Sequence, residues 1–455
     1  MNAITPEQIV RDGLPRAAEP QHIGVIGAGM AGLVAALELK RAGHRVTVLE
    51  AQARVGGRVQ TLREPFSDGL FAEAGAMRIP RAHDLTLAYV RRFKLRTMPF
   101  TMDNPEAFIY LLNERRRAKD YRAEDSVMAR WAAALAPLVR MAHRGPQGTA
   151  AVAARHDHQS LAEFVESIGF TQNEVELFAL VSTMEPLMNT AFMEVFREEA
   201  GHWFTNVLTI RGGMDQLPRA FVRELAGDLR FGAAVTGIAQ GSDGVSVAYE
   251  SAGARRTLRV DRVIVTLPFG VLRHIEVRPG LSREKQRAIR QLHYDASTKI
   301  LFQCSRRFWE EDHGIFGGGT VTDLPIRSIY YPDQGRETGR GVLLASYTWG
   351  IDAVRWAALP PHERVRQALE NVAAVHPEVL DHFELGTSKV WQDDPYAGGA
   401  FALFEPGQQT ALYTDICKPE GRIHFAGEHA SLAHAWIQGA IESGLRAAAE
   451  VAAVD

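Results

Sequence analysis

From His22 to Ile26 the chain is almost wholly apolar; it then turns through glycines and spaces Leu33, Leu37 and Leu39 along a helical stretch reaching Gly43. A second short apolar run, Arg45 to Leu49, ends in Glu50. Strand, turn, helix and strand in this order predict the first unit of a doubly wound parallel sheet. From Asp84 to about Thr209 the spacing is helical and alanine-rich, as in SVMARWAAALAPLVRMAH. Tryptophan and methionine stripes at that spacing read as core packing, and the segment as a helical insertion covering a crevice. After the Arg211–Gly213 turn and a helix, LRFGAAVTGIAQ and GVSVAYE alternate, and DRVIVTLPFGVL is continuously apolar. They predict a small antiparallel layer leading back into a buried parallel strand. The strand STKILFQC carries Lys299, which is costly to bury without a partner; an edge strand with the lysine facing solvent is the plain alternative. A helix is expected from about Pro361 to Val375, and a strand from Ile423 to Ala426 leads to a helix starting near Trp436. Residues 1–20 read as a loose arm over the surface.

The glycines between the first strand and helix form G-x-G-x-x-G within GAGMAG, Gly27 to Gly32, with Ala28, Met30 and Ala31 between them. Gly27 permits a tight turn, Gly29 leaves bare backbone for a pyrophosphate, and Gly32 lets the helix lie close on the strand. The helix N-terminus offers unpaired N–H groups to phosphate. Glu50 stands where a carboxylate accepts ribose hydroxyls, which favours a ribose without phosphate. At the C-terminal end, a helix entering by its N-terminus near Trp436 and Ile437 could stabilise charge on a reduced ring, after the Gly427–Glu428 loop.

The chain has 455 residues, 46 % hydrophobic and 23 % charged, enough for two or three domains of an ordinary globular protein. A net charge of -3 gives no general attraction to nucleic acid or an anionic membrane. Two distant cysteines, Cys304 and Cys417, make no disulfide framework. No signal peptide or membrane-spanning apolar run is seen, so a cytoplasmic location is expected. No metal site is expected.

ARVGGR, Arg54 to Gly57 and Arg58 just after Ala51, resembles the signature of the flavin-dependent amine oxidases. With GAMRIP, GGMDQLP, STK, IYYP, DDPYAGGAF and GEHASLAHAWIQGAIESGLRAA in the same order, nearly the whole chain resembles an L-amino acid oxidase of that family. The resemblance implies FAD, held by Gly27 to Gly32, Glu50, Ala51, Arg54, Gly57, Arg58, Ala76, Met77, Arg78, Trp391, Gly427, Glu428, Trp436, Ile437 and the backbone at Val235. Taken alone, Arg78 suits an ion-paired surface; the resemblance makes it the clamp on a substrate carboxylate, assisted by Tyr331 in preference to Tyr330. It implies that Lys299 holds a water serving oxygen reactivity, that Trp436 and Trp391 supply aromatic walls, and that backbone at Ala435 receives the amino group. Ala435 replaces a glycine common in relatives. Ala400, where covalent relatives carry cysteine, cannot form a thioether, so FAD is expected to be noncovalent. His202 is the one candidate general base, although a lone histidine usually completes an ordinary hydrogen bond.

The expected fold is α/β: a discontinuous Rossmann-like FAD domain (21–62, 211–290, 418–455), a mixed-sheet substrate domain (63–115, 291–417) and a helical domain (116–210). The implied reaction is oxidative deamination: hydride passes from the alpha carbon to the flavin, and O2 is reduced to H2O2 with release of a 2-oxo acid and ammonia. A homo-oligomer, dimer or larger, is the family expectation. Competing readings are an amine or polyamine oxidase, which Arg78 opposes, a tryptophan 2-monooxygenase, a dehydrogenase with another electron acceptor, and a flavin-binding protein without turnover.

Overall fold

Five strands pair in parallel in the order Ile423–Phe425, Arg262–Val265, His22–Ile26, Arg45–Leu49, Leu229–Arg230. The three central strands carry the continuous apolar runs and are buried along most of their length, as a parallel sheet covered by helices requires. A computed structural model describes residues 4–121 and 123–453. Residues 1–3 of the expected arm, residue 122 of the expected helical domain, and 454–455 of the expected C-terminal segment lie outside the described residues. The helices Met30–Arg41 and Ile437–Ala452 pack together, and Leu33, Leu37, Ile441 and Leu445 are among the fully buried residues of one core.

The arm departs from expectation. Pro6–Asp12 is a helix started by a capping box, in which Thr5 accepts from the Gln8 N–H and Gln8 bonds back to Thr5. Its Ile9 is fully buried in the same core, worth about 1.5–3 kcal/mol of burial. The run LRFGAAVTGIAQ also divides. Leu229–Arg230 edges the parallel sheet, while Ala234–Gly241 joins Gly244–Ser251, Ala254–Val260 and Glu276–Arg278 in a separate four-stranded sheet.

The third layer is a seven-stranded mixed sheet: Phe383–Val390, Ser297–Cys304, Gly341–Trp349, Ser328–Tyr330, Gly319–Thr322, Phe108–Leu111, Glu114–Arg117. Ser297–Cys304 is interior and buried at all eight positions, so the solvent-facing edge alternative for Lys299 falls. The helical pattern from Asp84 is interrupted as well. Phe108–Leu111 and Glu114–Arg117 form a hairpin because Leu112 and Asn113 both adopt left-handed φ, 55° and 63°, the geometry of a two-residue turn between twisted strands. The Asp84–Arg92 helix places Leu85, Tyr89 and Val90 in the core of the nucleotide layer.

Helices Ala123–Ala142, Pro146–His156, Leu161–Ser167, Gln172–Val181 and Phe192–Ala200 make the helical layer. Ser160 with Glu163 and Thr171 with Glu174 form capping boxes that start two of them. Trp131 packs with Phe164, Phe178 and Phe192, so this tryptophan is core, as its spacing suggests.

Candidate active site

One cavity of about 440 Å³ is lined at one end by Gly27, Gly29, Glu50 and Val235, and at the other by Arg78, Lys299 and Trp436. At the first end the turn is built from backbone. Gly27 has φ 101°, which side chains other than glycine's rarely tolerate. A Cβ on Gly32 would stand 2.0 Å from the Gly27 carbonyl oxygen, so helix and strand can meet only there without a side chain. A Cβ on Gly29 would meet nothing within 4 Å, although its neighbours are buried. That open cradle at a helix N-terminus is the shape a diphosphate needs.

Glu50 is buried and anchored: one oxygen accepts from the Ala28 N–H at 2.7 Å, the other from the Gln52 N–H at 2.9 Å. Burial raises its pKa against those two hydrogen bonds. Each oxygen keeps a lone pair for a hydroxyl donor. Arg54 donates to the Gly57 carbonyl at 2.8 Å, folding the second glycine turn beside the first. Arg58 pairs with Glu428 at 2.7 Å, and Glu428 also accepts from the N–H groups of Ala402 and Ala435 at 3.1 and 2.9 Å. This one carboxylate ties three distant segments to the cavity wall. Ala51, Met30, Ala31, Ala76, Met77, Gly427 and Ile437 line the cavity with them, whereas Ala28 and Gly32 stand behind its wall. The donor set and the cradle fit FAD.

Arg78, at the other end, donates to the Met102 sulfur at 3.4 Å and lies 5.4 Å from the Phe204 ring and 6.0 Å from the Trp436 ring. Among the described residues no carboxylate approaches it within the 4.0 Å of an ion pair. Trp436 leaves its indole N–H to Glu198, at 2.6 Å, and its ring meets Trp203 and His83 edge to face. Lys299, 1 % exposed, donates to the carbonyls of Glu73 at 3.1 Å and Gly75 at 2.7 Å. Burial brings its pKa down to about 7. The Trp391 indole N–H donates to the Ala74 carbonyl at 2.8 Å, so its ring is fixed in the wall. Ala435 lines the cavity with φ 64°, a conformation glycine adopts freely, and adds a methyl group there.

Three expected residues lie elsewhere. Tyr331 is 1 % exposed and bonded to Thr320 at 2.6 Å and His376 at 2.7 Å, inside the core of the seven-stranded sheet. Two buried hydrogen-bond partners draw it away from Arg78's cavity. Tyr330 points to the opposite face but also misses the cavity; its ring is 6.3 Å from that of Tyr347. His202 is exposed, its ring 6.0 Å from that of His143, and it cannot serve as a base in the cavity.

The residues that do face it went unread. Tyr347 lines the cavity, with the Lys299 ammonium 4.6 Å from its ring centre. Glu194 and Glu198 lie one turn apart on the Phe192–Ala200 helix, and that i, i+4 acidic pair was the available signal. Glu194 is pushed upward by burial but held at about 2 by Arg197 and His434. Glu198 has no such pairing; burial raises it to about 7, only partly offset by the Trp436 N–H and Arg78.

Parallel sheet, glycine cradle and the cavity opening from it together define a dinucleotide-binding protein. The chain matches the family described as flavin containing amine oxidoreductase over residues 30–452. It is 40 % identical to "Putative L-amino-acid oxidase YobN" of Bacillus subtilis (strain 168), with 98 % of this chain and 97 % of that one covered. It is 34 % identical to an L-amino-acid oxidase of Siganus canaliculatus (98 % and 88 % covered) and 36 % identical to one of Mus musculus (98 % and 72 %). In fold it is similar to a putrescine oxidase variant, TM-score 0.82 at 22 % identity over 96 % of this chain and 99 % of that one. A cyclohexylamine oxidase from Brevibacterium oxydans IH-35A gives TM-score 0.74 at 19 % identity, over 96 % and 98 %. The chain belongs to the flavin containing amine oxidoreductase family, and FAD is its cofactor. Among the described residues no helix is long and apolar enough to cross a membrane.

Proposed function

We propose that the protein is an L-amino acid oxidase that converts an L-amino acid to a 2-oxo acid, ammonia and H2O2. The observation that carries the reading is Arg78: a guanidinium in the cavity wall, bracketed by Phe204 and Trp436, without an ionic partner among the described residues. A half-buried cation flanked by aromatic rings calls for an anion, and a bidentate carboxylate matches its fork. The full-length likeness to L-amino-acid oxidases supports the same substrate class.

When bound, FAD would supply a two-electron acceptor that O2 can reoxidise, and Ala400 offers no thiol for a covalent link to it. The chain's own groups fix the geometry. Arg78 grips the carboxylate, and Trp436, Phe204 and Trp203 exclude water around it. Ala435, whose N–H is committed to Glu428, leaves its carbonyl oxygen for the substrate amine. Lys299 gives two N–H groups to the Glu73 and Gly75 carbonyls and the third to the Met77 sulfur at 3.7 Å, a weak contact that a water can displace; near pH 7 it exists in both protonation states, suited to holding that water and moving a proton there. The homo-oligomer remains part of this proposal as the family expectation.

One observation favours a second reading. Glu198 is a carboxylate in the same cavity, and it suits a cationic amine that carries no carboxylate. Peroxide release from a panel of the twenty L-amino acids and their decarboxylated amines separates the two. The proposal expects turnover of amino acids, with large apolar or aromatic side chains favoured by the tryptophan walls; turnover confined to the amines would replace it with the second reading.

A further inference from the structure

Away from the flavin cavity, His313, His376 and Glu378 each present a ligand atom, all within 4.8 Å of one another; no other such group occurs among the described residues. We propose that they form a binding site for one zinc ion, with water completing its coordination.

Three observations converge. His376 is fully buried, and its Nδ1 has no hydrogen-bond partner. Glu378 Oε2 is likewise buried without a partner, while Oε1 lies 3.1 Å from His313 Nε2. Unpaired histidine nitrogens occur elsewhere in this protein, but here a histidine and a glutamate that each carry a buried, unpartnered atom stand beside a second imidazole. Two imidazoles and a carboxylate are the donor set of an open zinc site, and Zn–N and Zn–O bonds of about 2.0–2.2 Å span ligand pairs about 3.4 Å apart. Rotation of the partly exposed Glu378 and His313 side chains would close the remaining distance.

The surroundings of His376 have the form of a second coordination shell. Its other nitrogen, Nε2, lies 2.7 Å from the Tyr331 hydroxyl, which bonds to Thr320 at 2.6 Å; Thr320 in turn accepts from the Phe108 N–H at 3.0 Å. An imidazole that donates from Nε2 to such a chain is left with its lone pair on Nδ1, the tautomer a metal requires. The ion would clip the loop at His313 to the turn after the Pro361–Val375 helix. Arg115 and Arg117 oppose a cation, since their guanidiniums lie over Phe108 and bond to the carbonyls of Val375 and His313. The single carboxylate offsets part of that field, so the affinity should be modest and zinc should be supplied in excess.

The holoenzyme, stripped with chelator and dialysed against ZnCl2, should retain one zinc per chain by elemental analysis and melt a few degrees higher, with its flavin spectrum unchanged. Glu378→Gln and His313→Asn replace the two partly exposed ligands, so folding should survive; both should lose the zinc and the thermal shift while keeping flavin and activity. No retained zinc in the parent protein, or equal zinc in parent and variants, would overturn the proposal.

Discussion

The two ends of the cavity are built in different ways. At the nucleotide end the recognition elements are backbone: the Gly27 turn, the open face of Gly29, and the N–H groups opening the Met30–Arg41 helix, with Glu50 held by two further N–H groups. They come from one short stretch, Gly27 to Gln52, and their spacing fixes their geometry. At the substrate end Arg78, Glu198, Lys299, Tyr347 and Trp436 arrive from five segments across three layers, and tertiary packing alone brings them together. A site of the first kind fails through sterics, and one of the second kind through a lost charge or hydrogen bond.

The largest expected effect breaks the nucleotide end. Gly32→Val places side-chain atoms where even a Cβ lies 2.0 Å from the Gly27 carbonyl, and overpacking of about 1–3 kcal/mol or more should separate helix from strand. The variant should purify without flavin and melt earlier; a yellow protein of unchanged melting temperature would show that the contact is not close. At the substrate end, Lys299→Met should keep flavin and fold while slowing reoxidation by O2 about 100-fold, in the range of general acid–base effects. Stopped-flow traces with equal reoxidation rates would remove Lys299 from that role.

A smaller effect follows from Glu198, whose pKa is raised to about 7 by burial. Its ionised form competes with a substrate carboxylate for Arg78, so KM for L-amino acids should rise a few-fold as pH passes through about 7. In Glu198→Gln the KM profile should be flat across that range. Stability carries the same sign: for a carboxyl raised from 4.5, the contribution is fully present below about pH 4.5 and lost as pH rises through about 7. The melting temperature of Glu198→Gln should therefore gain on the parent between pH 5 and pH 8; parallel curves would refute the assignment. The smallest effect belongs to Gly29→Ala. No protein atom obstructs its Cβ, so melting of the flavin-free protein should be unchanged while flavin affinity falls by about 1 kcal/mol or more.

What was legible in the sequence follows the same division. The parallel sheet, the three glycines, Glu50, ARVGGR and the entry to the last helix could be read because each depends on residues close in the chain. Tyr331 could not be placed, because alternation shows that Tyr330 and Tyr331 face opposite ways but not which face carries Thr320 and His376. His202 stands out as a histidine, while Glu194 and Glu198, eight and four residues earlier, are the ones that meet the cavity. The Pro6–Asp12 helix went unread despite its Thr5–Gln8 capping box, because proline and charge around it suggested a loose arm. The Phe108–Arg117 hairpin was masked by helical patterns on either side.

The central claim is that Arg78 reads a carboxylate, and the most direct measurement is a ratio. In the parent enzyme and in Arg78→Met, kcat/KM would be measured for one aromatic L-amino acid and for the amine left by its decarboxylation. The account predicts that the variant loses on the order of 2–5 kcal/mol toward the amino acid and little toward the amine, so the parent's preference collapses. A preference that survives the substitution would contradict it.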